Sequence, residues 1–197
     1  MRLEFLLEEL SAEKALEAIL PSLVPAGTEW HLHPHNGRSD LLQQLPAKLR
    51  AYAKWLPRDA RIVVLCDQHQ DDCRRLKEGI LNTARAVGMD RRVLARIVVP
   101  ELESWFLGDP TAVEGAFPRA KAARWAGKRL YRDPDALPNA AQVLDRLVRR
   151  FGHSEGYQKV LGGQSIAEKM APASNRSHSF CVFREGLARF LRREANG

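Results

Sequence analysis

The run Ile62-Val63-Val64-Leu65-Cys66, closed by Asp67, constrains this chain more than any other segment. Five consecutive apolar residues, three of them β-branched, read as a strand covered on both faces. Such strands belong to sheets with a helical layer on each side. A carboxylate at the carboxyl end of one stands where open α/β sheets hold their ligands.

The neighbouring segments predict the rest of such a sheet. Residues 2–7 alternate loosely as a first strand. Ser11 is the expected N-cap of a first helix, although the acid of a capping box comes one residue early, at Glu13. Residues 30–35 read as a short second strand, and residues 36–40 as a turn. Leu41, Leu45, Leu49, Tyr52 and Trp55 continue as a second helix, with Pro46 tolerable only in its first turns. Residues 61–66 and 93–99 are the third and fourth strands. Between them Cys73, Leu76, Ile80, Leu81 and Ala84 share one helix face, with Gly88 at its end. Strands alternating with helices predict a doubly wound α/β domain with a mainly parallel four-stranded sheet over residues 1–109. From residue 110 to 197 strand signals fade. Short helical segments alternate with breaks such as Gly162-Gly163, and residues 179–193 carry the last clear helix. This second part is expected to be basic, mostly helical and packed on the first.

Composition narrows the class. The 197 residues are 45% hydrophobic and 28% charged, as in an ordinary soluble globular protein. No stretch approaches the roughly 18 apolar residues of a membrane span. Acidic residues interrupt the N-terminal apolar run, so no signal-peptide layout is present, and the expected location is the cytoplasm. The three cysteines, Cys66, Cys73 and Cys181, form no CxxC pair, which argues against a structural zinc site. Cys66 and Cys181 read as packing residues. The chain has no Ser-His-Asp signature, no Walker A motif and no GxGxxG fingerprint, so acyl transfer, P-loop and dinucleotide chemistry are not supported. Charge divides unevenly: residues 1–117 carry a net −2 and residues 118–197 a net +9. An acidic half beside a basic half suits a metal-dependent enzyme acting on a polyanion; a solvated basic surface is the competing explanation.

Three acidic clusters follow predicted strands: Glu8 and Glu9, then Asp67, Asp71 and Asp72, then Glu101 and Glu103. In a parallel sheet those strand ends share one edge, so residues distant in sequence meet in one cleft. Mg²⁺ takes one or two carboxylates, waters and substrate phosphate, and two metals together suit phosphodiester cleavage. Acids at helix N-termini are favourable for macrodipole reasons alone, which fits Asp71 and Asp72. Arg38 and Ser39, in the loop after the second strand, could hold a phosphate at a helix N-terminus; an N-cap role for Ser39 is the alternative. His31, His33 and His35 alternate on one strand face, where packing competes with metal binding. Arg132, Lys159, Arg176 and Arg184, dispersed among Tyr131, Tyr157 and Phe180, could bind single-stranded nucleic acid by charge and stacking.

The order of a Glu after strand one and an Asp-x-Asp pair after strand three, here begun by Asp67, resembles the Toprim fold of topoisomerases, primases and OLD-type nucleases. A closer resemblance runs along nearly the whole chain. It rests on Leu7-Glu8-Glu9-Leu10-Ser11, Gly37-Arg38-Ser39-Asp40-Leu41-Leu42 and residues 64–73 around Asp67. It continues through residues 100–109, Tyr131-Arg132-Asp133-Pro134-Asp135 and Ser177-His178-Ser179-Phe180. These motifs, in this order, are similar to the domain-of-unknown-function family numbered 4276. The resemblance implies a Toprim-like (Rossmann-like) fold. Glu8 would be a general acid/base or metal-linked residue, Asp67 the first Asp of the pair, and Glu101 or Glu103 a further acid. It also implies a nuclease-like effector working with an ATPase partner in bacterial defence loci. One departure stands out. His69 occupies the place of the second metal-binding Asp, and imidazole suits Mn²⁺ or another transition metal better than Mg²⁺. The expected metal set is Glu8, Asp67, His69 and Asp71, holding Mg²⁺ or Mn²⁺. A catalytically inactive adaptor or nucleotide-binding regulator is the alternative function.

Overall fold

A computed structural model of the chain describes residues 1–192. Strands β1 (Arg2–Leu7), β2 (Glu29–Pro34), β3 (Arg61–Asp67) and β4 (Val93–Val98) form one sheet in the order β2-β1-β3-β4. Every pairing is parallel. The period-2 side-chain rule divides the strands between two cores. Leu3, Phe5 and Leu7 of β1, with Val63 and Leu65 of β3, pack with helix α1 (Leu10–Ile19). Leu6, Ile62, Val64 and Cys66 face the other way, against α2 (Arg38–Trp55) and α3 (Cys73–Arg85). β3 is buried at every position, as its apolar run predicts.

The C-terminal part comprises α4 (Glu103–Leu107), α5 (Pro110–Ala116), α6 (Ala140–Arg150), α7 (Lys159–Ala167) and α8 (His178–Arg192), joined by 3₁₀ turns. It covers the α1 face: Trp105, Phe106, Leu144 and Phe180 share a core with Phe5 and Leu16. Trp105 is fully buried between Phe180 and Phe183, with ring centroids 5.1 and 4.9 Å away. Two acids, buried Asp109 and half-buried Asp135, fasten this part. Asp109 Oδ1 accepts from Thr111 Oγ1 and from the Ala112 amide, capping α5, while Oδ2 accepts from the Ala171 amide at 2.7 Å. Asp135 accepts from Ser177 Oγ and from the Ser179 amide, each at 2.6 Å. Two motifs more than 40 residues apart thus meet in one hydrogen-bonded joint.

Local expectations are corrected in three places. Ser11 does not cap α1: Glu9 is the extended N-cap residue, and Ser11 Oγ donates to its carboxylate. Pro46 lies well inside α2, which runs on to Trp55. The buried stripe Leu41, Leu45, Leu49 and Tyr52 carries the helix past the missing amide. Gly162-Gly163 is not a break but part of α7, where a Cβ at Gly162 would come 2.9 Å from the Tyr157 ring and one at Gly163 3.2 Å from Phe106. The small residues admit those rings. The last helix keeps its expected place; Arg193 lies outside the described residues. Among the described residues no helix is long and apolar enough to cross a membrane.

Candidate active site

The connections leaving β1 and β3 diverge: α1 lies on one face of the sheet, α2 and α3 on the other. Neighbouring strands whose connections part in this way leave a crevice at their carboxyl ends, the usual ligand position of open α/β sheets. Glu8 follows β1 and Asp67 ends β3 at that crevice. Both are buried, as is Glu103 at the start of α4.

Glu8 is held at both oxygens. Its Oε2 accepts from the Asp67 amide at 2.9 Å, and its Oε1 lies 3.1 Å from His69 Nε2. His69 Nδ1 lies 3.9 Å from Glu101 Oε1, so the imidazole stands between two carboxylates. His69 adopts φ +51°, a left-handed conformation that His tolerates better than most residues. Its amide donates to the Pro100 carbonyl at 3.0 Å, tying the β3 loop to the β4 loop. Glu101 Oε2 accepts from the Ala141 amide at 3.0 Å, which brings the first turn of α6 to this edge.

The acids beneath lie where burial disfavours their charge. Burial, then the charges of Glu8 and Glu103, push the Asp67 carboxyl well above its ordinary value, against the pull of Lys159 and a hydrogen bond from the Leu102 backbone. Burial also raises Glu103, with a smaller push from Glu101. Glu103 Oε1 faces Tyr157 Oη at 3.1 Å, whereas Oε2 is buried with no hydrogen-bond partner. Burial, with the nearby Glu103 charge, raises the Tyr157 phenol well above its usual range, so it remains a proton donor. Lys159 pairs with Glu9. Burial alone would lower its ammonium, but the Glu9 hydrogen bond and the charges of Glu103, Glu9 and Asp67 outweigh that and raise it.

The other expected site residues are engaged elsewhere. Asp71 pairs with Arg38 at 2.5 Å, and Arg38 also donates to the carbonyls of Asp67 and Gln68. Arg38 is therefore a strut between the β2 and β3 loops, and Asp71 is directed toward it. Ser39 is exposed in the first turn of α2, where Gly37, at φ +95°, is the N-cap residue. Asp72 caps α3 through the Arg74 and Arg75 amides. His33 pairs with Glu4, and His35 bonds the Leu7 carbonyl. Arg132 is exposed, Arg176 donates to the Ala126 carbonyl, and Phe180 is fully buried and cannot stack on a base. Tyr157 and Lys159 are the site residues whose place the sequence did not disclose. Both come from the helical part, which offers no strand register by which to locate them.

A hard cation suits the chemistry at this edge: buried carboxylates with raised proton affinity, and one carboxylate oxygen with no donor. Among the described residues no group of three or more His, Cys, Asp or Glu side chains has metal-holding geometry. The fit is thus to an ion held by few protein ligands, with water or phosphate as the remainder.

A family model described as "Domain of unknown function (DUF4276)" matches residues 7–188. The chain belongs to this family. The match takes in all four site loops and both halves of the Asp135 joint. No curated protein and no solved structure matches the chain.

Proposed function

We propose that this DUF4276 chain is a divalent-metal-dependent phosphodiesterase acting on DNA or RNA, built on a Toprim-like sheet. The observation that carries the reading is the buried, under-compensated acid cluster of Asp67 and Glu103 at the crevice between β1 and β3. Burying carboxylates beside one another is costly unless a proton or cation compensates. Glu8 and Asp67 would hold Mg²⁺ or Mn²⁺, with water or phosphate oxygens completing the shell. The ion would supply charge neutralisation and Lewis acidity toward phosphate oxygens. The chain's own residues do the rest. His69 orients Glu8, Glu101 and Glu103 support the site from the β4 loop, and Lys159 offers a positive charge for a phosphate. An ATPase partner belongs to this proposal through the family resemblance.

The test is cutting of single- and double-stranded DNA and RNA by purified protein with Mg²⁺ or Mn²⁺, alone and with a neighbouring ATPase. Cutting should fall to background in Asp67→Ala and persist in Lys54→Ala, an exposed residue of α2. No cutting under any of these conditions overturns the reading.

A second reading, a non-catalytic adaptor, has its own support. Both Glu8 oxygens already have protein partners, and Arg38 occupies Asp71. Calorimetric titration separates the two: an adaptor of this kind binds neither Mg²⁺ nor Mn²⁺.

A further inference from the structure

A wide cleft lies in the helical part, outside the acid site. It encloses about 790 Å³, within the usual size range of small-ligand pockets. Its lining includes Arg124, Lys128, Arg146 and Arg150 and no carboxylate. All four cations are exposed, and none has an ion-pair partner among the described residues. Between them the half-buried rings of Tyr131 and Phe151 line the wall.

Helix α6 explains the arrangement and connects the cleft to the acid site. Val143, Arg146, Leu147 and Arg150 follow the i, i+3, i+4, i+7 spacing and present one face to the cleft. Arg146 also lines a second pocket, which contains Tyr157 and Lys159. Those two residues touch Glu103 and Glu9. The opposite end of α6 donates its Ala141 amide to Glu101. A helix of 11 residues thus leads from the acid edge to the cationic cleft, a length of about 16 Å.

We propose that this cleft binds single-stranded nucleic acid, seating an unpaired base against Tyr131 and Phe151 while Arg124, Lys128, Arg146 and Arg150 hold the flanking phosphates. The strand then continues past Arg146 toward Lys159 and the acids. Charge complementarity selects a polyanion, and the apolar wall selects one that carries planar groups. A duplex keeps its bases stacked inside and cannot offer one to the wall without flipping it out. The proposal deepens the phosphodiesterase reading by naming the form of substrate, but binding is measurable without cutting.

The experiment is fluorescence anisotropy of labelled oligo(dT) in EDTA, across a salt series. Single strand should bind at least about tenfold tighter than duplex of equal length. R146E/R150E should lose most of that binding, and its salt slope should shrink by about 1.4, at roughly 0.7 per phosphate contact on a single strand. K54E/R58E makes the same charge change on two exposed residues, one in the last turn of α2 and one in the loop after it, and should bind nearly as wild type. Tyr131→Ala should weaken oligo(dT) while leaving the salt slope unchanged. Circular dichroism and thermal melting confirm that each variant is folded. Several results overturn the proposal: equal loss in both charge reversals, duplex bound as tightly as single strand, displacement by poly-glutamate as effective as by oligo(dT), or competition by mononucleotide at equal nucleotide concentration. Binding by the cleft without cutting in Mg²⁺ overturns only the phosphodiesterase reading. Cutting that R146E/R150E leaves intact, with no strand binding, overturns only the cleft.

Discussion

Two sets of acids lie wholly or partly out of solvent in this molecule, and they are satisfied very differently. Asp109 and Asp135 spend both oxygens on donors: hydroxyls and backbone amides that cap α5, hold the Ala171 loop and join the Asp135 turn to the start of α8. Asp67 and Glu103 sit among other acids, and one Glu103 oxygen has no donor. A buried carboxylate with all its bonds made stabilises a fold, whereas one left short is a cost that a ligand can relieve. Asp109 is buried about as deeply as Asp67, so depth alone does not separate the two sets; their hydrogen-bond partners do.

The largest expected effect tests the lock. Asp109→Ala removes three accepted bonds and strands the Ala112 and Ala171 amides. The expected loss is about 3 kcal/mol, most of it from the buried Ala112 amide at roughly 1–3 kcal/mol for a buried group left unpaired. Urea denaturation measures it. Asp67→Asn should cost nothing in metal-free buffer, or should stabilise, because it removes repulsion with Glu8 and Glu103. Equal losses in the two variants would break the distinction.

Next in size is the response to pH. Unfolded, Asp67 and Glu103 titrate near ~3.9 and ~4.3; folded, both are raised, first by burial. The native state therefore holds more protons than the unfolded state between those values. The contribution of these two acids to stability is fully present below pH ~4 and is lost as pH rises through the window up to the raised folded values. Melting curves in EDTA read that contribution as a difference: the advantage of wild type over D67N/E103Q should shrink as pH rises. A divalent cation reverses the trend, because it binds the ionised acids. Saturation at a hundred times the dissociation constant adds about 2.7 kcal/mol, expressed at pH 8 and absent at pH 4. A melting temperature indifferent to Mg²⁺ and Mn²⁺ at pH 8 would move Asp67 toward the adaptor reading.

A smaller effect addresses His69. An Asp there tolerates the same left-handed backbone and places a third acid beside Glu8 and Glu101. His69→Asp should tighten Mg²⁺ about tenfold, or ~1.4 kcal/mol, and lower metal-free stability at pH 8. Isothermal calorimetry reads the first, thermal melting the second. Unchanged Mg²⁺ affinity would mean that His69 does not face the ion.

Glu8 and Asp67 were legible in the sequence because strand ends are local signals: an apolar run stops and a carboxylate follows. The parallel sheet then brings Glu8, Asp67, Glu101 and Glu103 to one edge. Asp71 was legible as an acid but not as a partner of Arg38, because the competing cation arrives from the β2 loop, about 30 residues earlier. Tyr157 and Lys159 reach the site through the packing of α7 on α1, a contact with no periodic trace. Phe180 looked available for stacking, yet its helical spacing with Phe183 and Leu187 already marked a buried face. Asp109 and Asp135 lay within the family motifs, and only the folded chain shows that these motifs meet Ala171, Ser177 and Ser179.

The smallest effect sharpens the comparison most finely. Tyr157 Oη has a single proton and two acceptors within reach, Glu103 Oε1 at 3.1 Å and the Lys159 carbonyl at 3.2 Å. Tyr157→Phe leaves the ring against Gly162 and deletes only the donor, so the stability loss should be about 1 kcal/mol. That corresponds to a fall of about 2–4 °C in melting temperature. If Glu103 belongs to the under-compensated set, losing its donor raises its proton affinity further, and the acid-side gain in stability extends to higher pH. The pH profile of the melting temperature should therefore steepen in Tyr157→Phe. Were Glu103 satisfied at both oxygens in the manner of Asp109, the variant would lose the same ~1 kcal/mol at every pH and the profile would keep its shape.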